Sequence, residues 1–271
     1  MNPPGFLFIV ATPIGNLNDI TARAIETLSK VDLIAAEDTR HSRRLLQHLG
    51  INTPLVALHE HNERADSSKL IDQLVQGKSI ALISDAGTPL ISDPGYHLVH
   101  TARQQDITIV PIPGPCALIT ALSASGLPTD RFVFEGFLPV KTGARQHRLT
   151  ELQYEPRTLI FYESPHRVIE TLQDMQTILG NDREVVMARE LTKVFESIVA
   201  GKLDALIQRL INYPEQQRGE FVILVKGEPQ QKELLHSEAK RILEILLAEL
   251  PLKQAVSLGI KITGLKKKCT L

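Results

Sequence analysis

The sequence has no tryptophan, few other aromatics, two cysteines and no surplus of either charge, and each shortage narrows what the chain can be. Cys116 and Cys269 stand far apart and outside any spaced framework, so neither a disulfide scaffold nor a metal site is expected, and a reducing, cytoplasmic setting is. No apolar run approaches the roughly 20 residues that a membrane helix needs, and no basic stretch precedes Phe6 to open a signal peptide. A formal net charge of −1 leaves no general attraction for phosphate, so any contact with nucleic acid must come from local basic clusters. The glycine-rich phosphate loops of nucleoside triphosphatases and of dinucleotide enzymes are also missing.

What is present fits a globular α/β protein of one large or two ordinary domains: 271 residues, 43% of them hydrophobic. Short β-branched apolar runs at 6–12, 31–36, 55–58, 79–83 and 107–112 alternate with helical patterns at 20–29, 39–49, 65–76, 95–105 and 115–125. Strands alternating with helices in this way predict a mostly parallel, helix-covered sheet. Gly126, Pro128 and Asp130 then break the pattern, which suggests a hinge. Beyond it, strands at 132–137, 157–163, 184–188, 195–200 and 220–226 and helices at 165–179 and 203–211 predict a second sheet. That sheet is expected to be mixed, because strands 184–188 and 195–200 lie close enough in sequence to pair antiparallel. A helical hairpin, 233–250 and 252–263, is predicted to break at Pro251. The expected organisation is therefore an N-terminal α/β domain over 1–126, a C-terminal α/β domain over 127–230 and a helical tail over 231–271.

Three strand-end loops draw attention, because open parallel sheets bind ligands at the carboxyl ends of their strands. The first holds Thr12, Pro13 and Gly15. The second, Ser84 to Gly95, is long for a strand-to-helix connection and rich in Gly, Pro and Asp. The third, Pro111 to Ala117, opens a helix of small residues whose free N–H groups suit a carboxylate.

Acids and bases stand at the same predicted sheet edge, in Glu37-Asp38-Thr39-Arg40-His41 and His59-Glu60-His61-Asn62. Asp38, Arg40, His59 and Glu60 are candidates for orienting or deprotonating a substrate hydroxyl, with helix capping by Asp38 and Asn62 as the alternative. A second cluster, Glu163, His166, Arg189, Glu190 and Lys193, is placed to grip a substrate or to close a cleft by pairing. Arg40–Arg44, Arg145–Arg148 and Lys266–Lys268 are the local basic clusters that could meet phosphates.

Taken together, Thr12-Pro13-Ile14-Gly15-Asn16-Leu17, Glu37-Asp38-Thr39-Arg40, Ser84-Asp85-Ala86-Gly87-Thr88-Pro89, Ile91-Ser92-Asp93-Pro94-Gly95 and Pro113-Gly114-Pro115 resemble the ribosomal RNA small-subunit methyltransferase I family, part of the tetrapyrrole-methylase superfamily. The resemblance continues through Tyr162–Arg167, Arg189–Lys193 and Arg218–Val222, and so covers about residues 6 to 262. It implies two α/β domains, S-adenosylmethionine held in the cleft between them, a homodimer, and 2′-O-methylation of a cytidine in 16S ribosomal RNA, within the small subunit. Carried over residue by residue, the implied cofactor contacts are Pro13, Asp85, Ala86, Gly87, Thr88, Cys116 and Ala117 from the first domain, and Tyr162, Ala188, Gly219 and Glu220 from the second. Methylation of a tetrapyrrole carbon, or a ribosome-assembly role without catalysis, would use the same scaffold.

Overall fold

The computed structural model describes residues 3–59, 63–228 and 231–263. The first half forms a five-stranded parallel sheet from β1 (Phe6–Val10), β2 (Leu33–Ala36), β3 (Leu55–Ala57), β4 (Ile80–Ile83) and β5 (Thr108–Ile112), in the order β3-β2-β4-β1-β5. Along β4, Ile80 and Leu82 enter one apolar cluster while Ala81 and Ile83 enter another. A strand buried on both faces needs apolar residues at every position, which is why these strands read as continuous runs and not as alternation. Helices α1 (Ala22–Lys30) and α2 (Thr39–His48) cover one face; α3 (Glu63–Val75) and α4 (Tyr96–Gln104) cover the other. The connections leaving the adjacent strands β1 and β4 therefore depart to opposite faces, and a crevice opens between them at the carboxyl edge.

The second sheet contains β6 (Phe132–Phe137), β7 (Thr158–Glu163), β8 (Glu184–Arg189), β9 (Ser197–Lys202) and β10 (Phe221–Val225), in the order β6-β7-β10-β8-β9. Only β6 and β7 run parallel, so the sheet is mixed as expected, and β8 and β9 form the anticipated antiparallel pair. On one face Leu149, Leu172, Met175, Leu206 and Leu210 build the largest apolar cluster, supplied by α6 (Thr142–Glu151), α7 (Val168–Leu179) and α8 (Leu203–Asn212). The other face receives α5 (Ala117–Ala124), which follows β5 of the first sheet. Leu118, Ala121 and Leu122 of α5 pack on Ile160, Val186, Val222 and Leu224. Each such buried Leu or Ile contributes about 1.5–3 kcal/mol relative to exposure, so the two sheets are joined by a shared core layer. The tail is a helical pair, α9 (Gln231–Glu249) and α10 (Leu252–Thr263), interrupted at Pro251.

Two differences from the sequence reading have physical causes. Helix α6 was not predicted, because a core position in it is filled by Arg145, only 1% exposed, where the helical pattern calls for an apolar residue. Its guanidinium pairs with Asp174 (2.5 Å) and donates to the Val140 carbonyl (3.2 Å), while Gln146 holds the other Asp174 oxygen (2.7 Å). Arg148 makes a two-pronged bond to Glu135 (2.8 Å each) and a third to Glu151 (2.7 Å). The Arg145–Arg148 cluster is thus a structural network and not a phosphate-facing surface. Helix α7 begins at Val168, later than expected, because Ser164 to Arg167 form a turn that closes on Glu163. Lys266–Lys268 lie outside the described residues.

Candidate active site

The first and second loops are tied to each other. Thr12 and Gly87 exchange backbone hydrogen bonds (2.9 and 3.1 Å), and the buried Thr12 hydroxyl donates to the Ser84 carbonyl (3.2 Å). Within the second loop Leu90 and Ser92 hold positive φ (72° and 69°) although neither is glycine, a strain of about 1–3 kcal/mol each. The loop end is anchored by the buried Glu63 carboxylate, which accepts from Gly95 N–H (3.0 Å) and His97 N–H (2.7 Å). Gly95 itself has φ 127°, and a Cβ there would lie 2.6 Å from Leu82, so no other residue fits. The third loop joins through Thr88, whose hydroxyl donates to the Pro115 carbonyl (3.0 Å).

The second sheet closes this crevice with strand ends. Tyr162, at the end of β7, accepts the Leu118 N–H of the first turn of α5 (3.2 Å) and is flanked by Phe134 and Phe137. Burial, then the neighbouring Cys116 thiol, push the Tyr162 phenol well above its ordinary range, so it stays neutral. The loop after β8 meets the first loop where Gly15 touches Lys193: a Cβ on Gly15 would stand 2.4 Å from the Lys193 side chain. Lys193 bridges Glu190 (2.9 Å) and Glu220 (2.8 Å). Although burial opposes it, the Lys193 ammonium and the Glu220 amide hold the Glu190 carboxyl below its usual value.

Between the two halves lies a cavity of roughly 420 Å3, within the range of small-molecule sites. Its apolar wall is Ile14, Ile91, Phe137, Leu191, Phe221 and Val222; Ala86, Gly87, Thr88, Ser92, Cys116, Ala117, Tyr162, Glu163, Ser164, Pro165 and Glu220 complete it, together with Asp93. Burial, reinforced by the charge of Glu37, raises the Asp93 carboxyl to about 7. Glu37 is itself raised, by burial first and then by Asp85. A second cavity, of roughly 310 Å3, shares Ile14, Ala86 and Glu220 with the first and adds Pro13, Gly15, His41, Arg44, Asp85 and Lys193.

The sequence-derived cofactor residues thus divide. Ala86, Gly87, Thr88, Cys116, Ala117, Tyr162 and Glu220 meet in the first cavity, while Pro13 and Asp85 line the second. Ala188 is fully buried on β8 in the layer that carries α5, and Gly219 lies under the Glu190 side chain; neither lines a cavity. Asp38 caps α2 through Arg40 N–H (2.8 Å) and pairs with the Arg40 guanidinium (3.0 Å), and neither residue lines either cavity. Arg40 therefore partners Asp38, which lies well below the usual carboxylate range, at about 2, chiefly through the Arg40 hydrogen bond. His59 follows β3 and lines neither cavity; Glu60, His61 and Asn62 lie outside the described residues.

In the second-domain cluster Glu163 lines the first cavity and Lys193 the second, and both are also held by structural partners. Glu163 is buried and accepts from Thr171 (2.6 Å) and Ser164 N–H (2.7 Å), and Arg189 donates to the Arg218 carbonyl (3.0 Å). Sequence reasoning passed over Ile14, Ile91, Phe137, Leu191 and Val222, which look like any core residue. Asp93 had a usable signal, an acid between Ser92 and Pro94 inside the long loop.

Comparison with known proteins follows the same outline. A family model described as Tetrapyrrole (Corrin/Porphyrin) Methylases matches residues 7–207, and one described as RsmI C-terminal HTH domain matches 233–268. Ribosomal RNA small subunit methyltransferase I of Pseudomonas aeruginosa is 57% identical over 97% of this chain and 94% of its own length. Its counterparts in Escherichia coli O157:H7 and Vibrio cholerae are 55% and 56% identical, each over 98% of this chain and 93% of the relative. Among solved structures, diphthine synthase superposes with TM-score 0.62 at 14% identity, covering 82% of this chain and 90% of that one. Uroporphyrin-III-C-methyltransferase from Thermus thermophilus does so with 0.57 at 18%, covering 82% and 94%. The structural likenesses bear on fold alone.

Proposed function

This chain belongs to the tetrapyrrole methylase family, in its ribosomal RNA small subunit methyltransferase I branch, and from that premise we propose that it carries a methyl group from S-adenosylmethionine to the 2′-hydroxyl of a cytidine in 16S ribosomal RNA. The 30S subunit as substrate, a homodimeric state and the cytoplasm belong to the same proposal. Among the described residues no helix is long and apolar enough to cross a membrane.

The observation that carries the reading is the Asp93 carboxyl. It lies half-buried in an apolar cavity where the charged groups acting on it are the carboxylates Glu37 and Asp85. A buried acid in negative company is stabilised by a cation, and S-adenosylmethionine has two cationic centres. Apolar Ile14, Ile91, Leu191 and Val222 suit its adenine, and the N-terminus of α5, with no side-chain cap on Cys116, suits its carboxylate. We place it there, with Ala86 to Thr88, Asp93, Cys116, Ala117 and Tyr162 as its contacts. Bound in that position it supplies a sulfonium methyl, open to in-line attack by an oxygen nucleophile. The residues of this chain contribute alignment and charge, which in such displacements accounts for much of the rate. In this reading Asp38 and Arg40 fix the start of α2.

Calorimetry with S-adenosylmethionine and methyl transfer to 30S subunits test it. Asp93→Asn is expected to weaken cofactor binding by about 100-fold or more, the cost of leaving a buried charge unanswered. Because the free carboxyl titrates near 7 and a bound cation lowers it, parent affinity should rise with pH through about 7 and level off above. The same shift makes Asp93 a cost to the free fold: the native state holds the proton more tightly, so its contribution to stability falls as pH rises from about 4 to about 7. A flat pH dependence of cofactor affinity, or label entering a tetrapyrrole and not 30S subunits, would overturn the reading.

A further inference from the structure

We propose that the second cavity seats the acceptor nucleoside and that His41 takes the proton from its attacking hydroxyl. This rests on the methyl-transfer reading above and names the residue of the site that handles the proton. The two cavities share Ile14, Ala86 and Glu220, so a donor in one and an acceptor in the other meet across a wall only a few side chains thick. Their characters differ as the two ligands require. Both have apolar walls, Leu17 and Leu45 lining the second, but the charged side chains of the first are the acids Asp93, Glu163 and Glu220, whereas the second adds the basic side chains His41, Arg44 and Lys193 to Asp85 and Glu220.

A guanidinium does not give up its proton in proteins, so Arg44 is no base. Lys193 and Glu220 are tied to each other at 2.8 Å, and Lys193 also to Glu190. One Asp85 oxygen accepts the Asp38 N–H (3.0 Å), and the carboxyl lies beside Glu37. His41 is left: it is exposed and lines the cavity, its backbone N–H helps Asp38 cap α2, and its imidazole stands near the Glu37 carboxyl, which can orient it. Imidazole is also the side-chain type best matched to accepting a proton near neutral pH. His41 and Arg44 are three apart on α2 and so share one helix face, which sets the guanidinium beside the base, where a nucleotide carries its phosphate.

The step balances. His41 takes the hydroxyl proton as the oxygen bonds to the methyl carbon, and sulfur keeps the electron pair of the broken carbon–sulfur bond. The positive charge passes from sulfonium to imidazolium and leaves as a proton to solvent.

The test uses the full chain with S-adenosylmethionine and 30S subunits. His41→Ala and the closer-sized His41→Gln are expected to lower kcat by about 10²–10⁴-fold while cofactor affinity by calorimetry stays within about twofold of the parent. Added imidazole should restore part of the alanine variant's turnover. Turnover of both variants within about threefold of the parent overturns the assignment, since a general base contributes far more than that. Loss of cofactor binding in a folded His41→Gln protein also overturns it, by moving His41 to the donor side. A parent that binds S-adenosylmethionine yet methylates no 30S subunit fails at the earlier step and overturns the function on which this rests.

Discussion

Helices α2 and α6 carry basic clusters that look interchangeable in one dimension, Arg40–Arg44 and Arg145–Arg148, and they serve opposite ends. Against α6 stand Glu135, Glu170 and Asp174, joined by its own Glu151; they pair with both arginines, and Arg145 is turned inward. On α2, Asp38 engages only Arg40; Arg44 faces a cavity with no ion pair among the described residues. A run of positive charge therefore has no meaning until its opposing carboxylates are located, and those lie as far as 29 residues away in the case of Arg145 and Asp174.

The contrast can be broken experimentally, and Arg145 offers the largest effect. Arg145→Ala leaves the Asp174 carboxylate buried without its cation and is expected to cost about 3–5 kcal/mol in denaturant unfolding. Arg145→Met combined with Asp174→Leu should recover most of that, because removing both charges removes the desolvation penalty as well. Unchanged stability in Arg145→Ala would return α6 to the class of solvated basic surfaces. Next comes Arg44→Gln, for which filter binding should give 30S affinity about tenfold weaker and a salt dependence shallower by about one phosphate contact, at unaltered melting temperature. If affinity is untouched, α2 is the passive helix of the two. The smallest effect belongs to Arg148→Ala: Arg148 is 41% exposed, so solvent screens its pairs and thermal unfolding should register no more than about 1 kcal/mol.

The same contrast shows where legibility stopped. All ten described strands were anticipated, because β-branched runs between Gly and Pro punctuation admit few other readings. Most were drawn long, as in 6–12 against Phe6–Val10, since Thr12 leaves the ladder to bridge Gly87, while 195–200 began two residues early against Ser197–Lys202. The first-sheet side of the site was visible through its loops, where Gly87 and the prolines flanking Gly114 are conspicuous. The second-sheet side was not. In a mixed sheet the strand ends alternate between edges, so no cluster of loops announces the site, and Leu191 and Val222 do their part as ordinary apolar residues. His41 was quoted with its neighbours but not singled out, because only the rotation of α2, fixed by the Asp38 cap, separates it from Arg40.

Helix α5 belongs by connectivity to the first sheet and by burial to the second, with Leu118, Ala121 and Leu122 seated on β7, β8 and β10. A fragment cut after this helix would carry a bare greasy stripe into water, and one that began after it would uncover the matching surface. Each half has apolar clusters of its own, so this shared layer is the surface that a cut would lay bare.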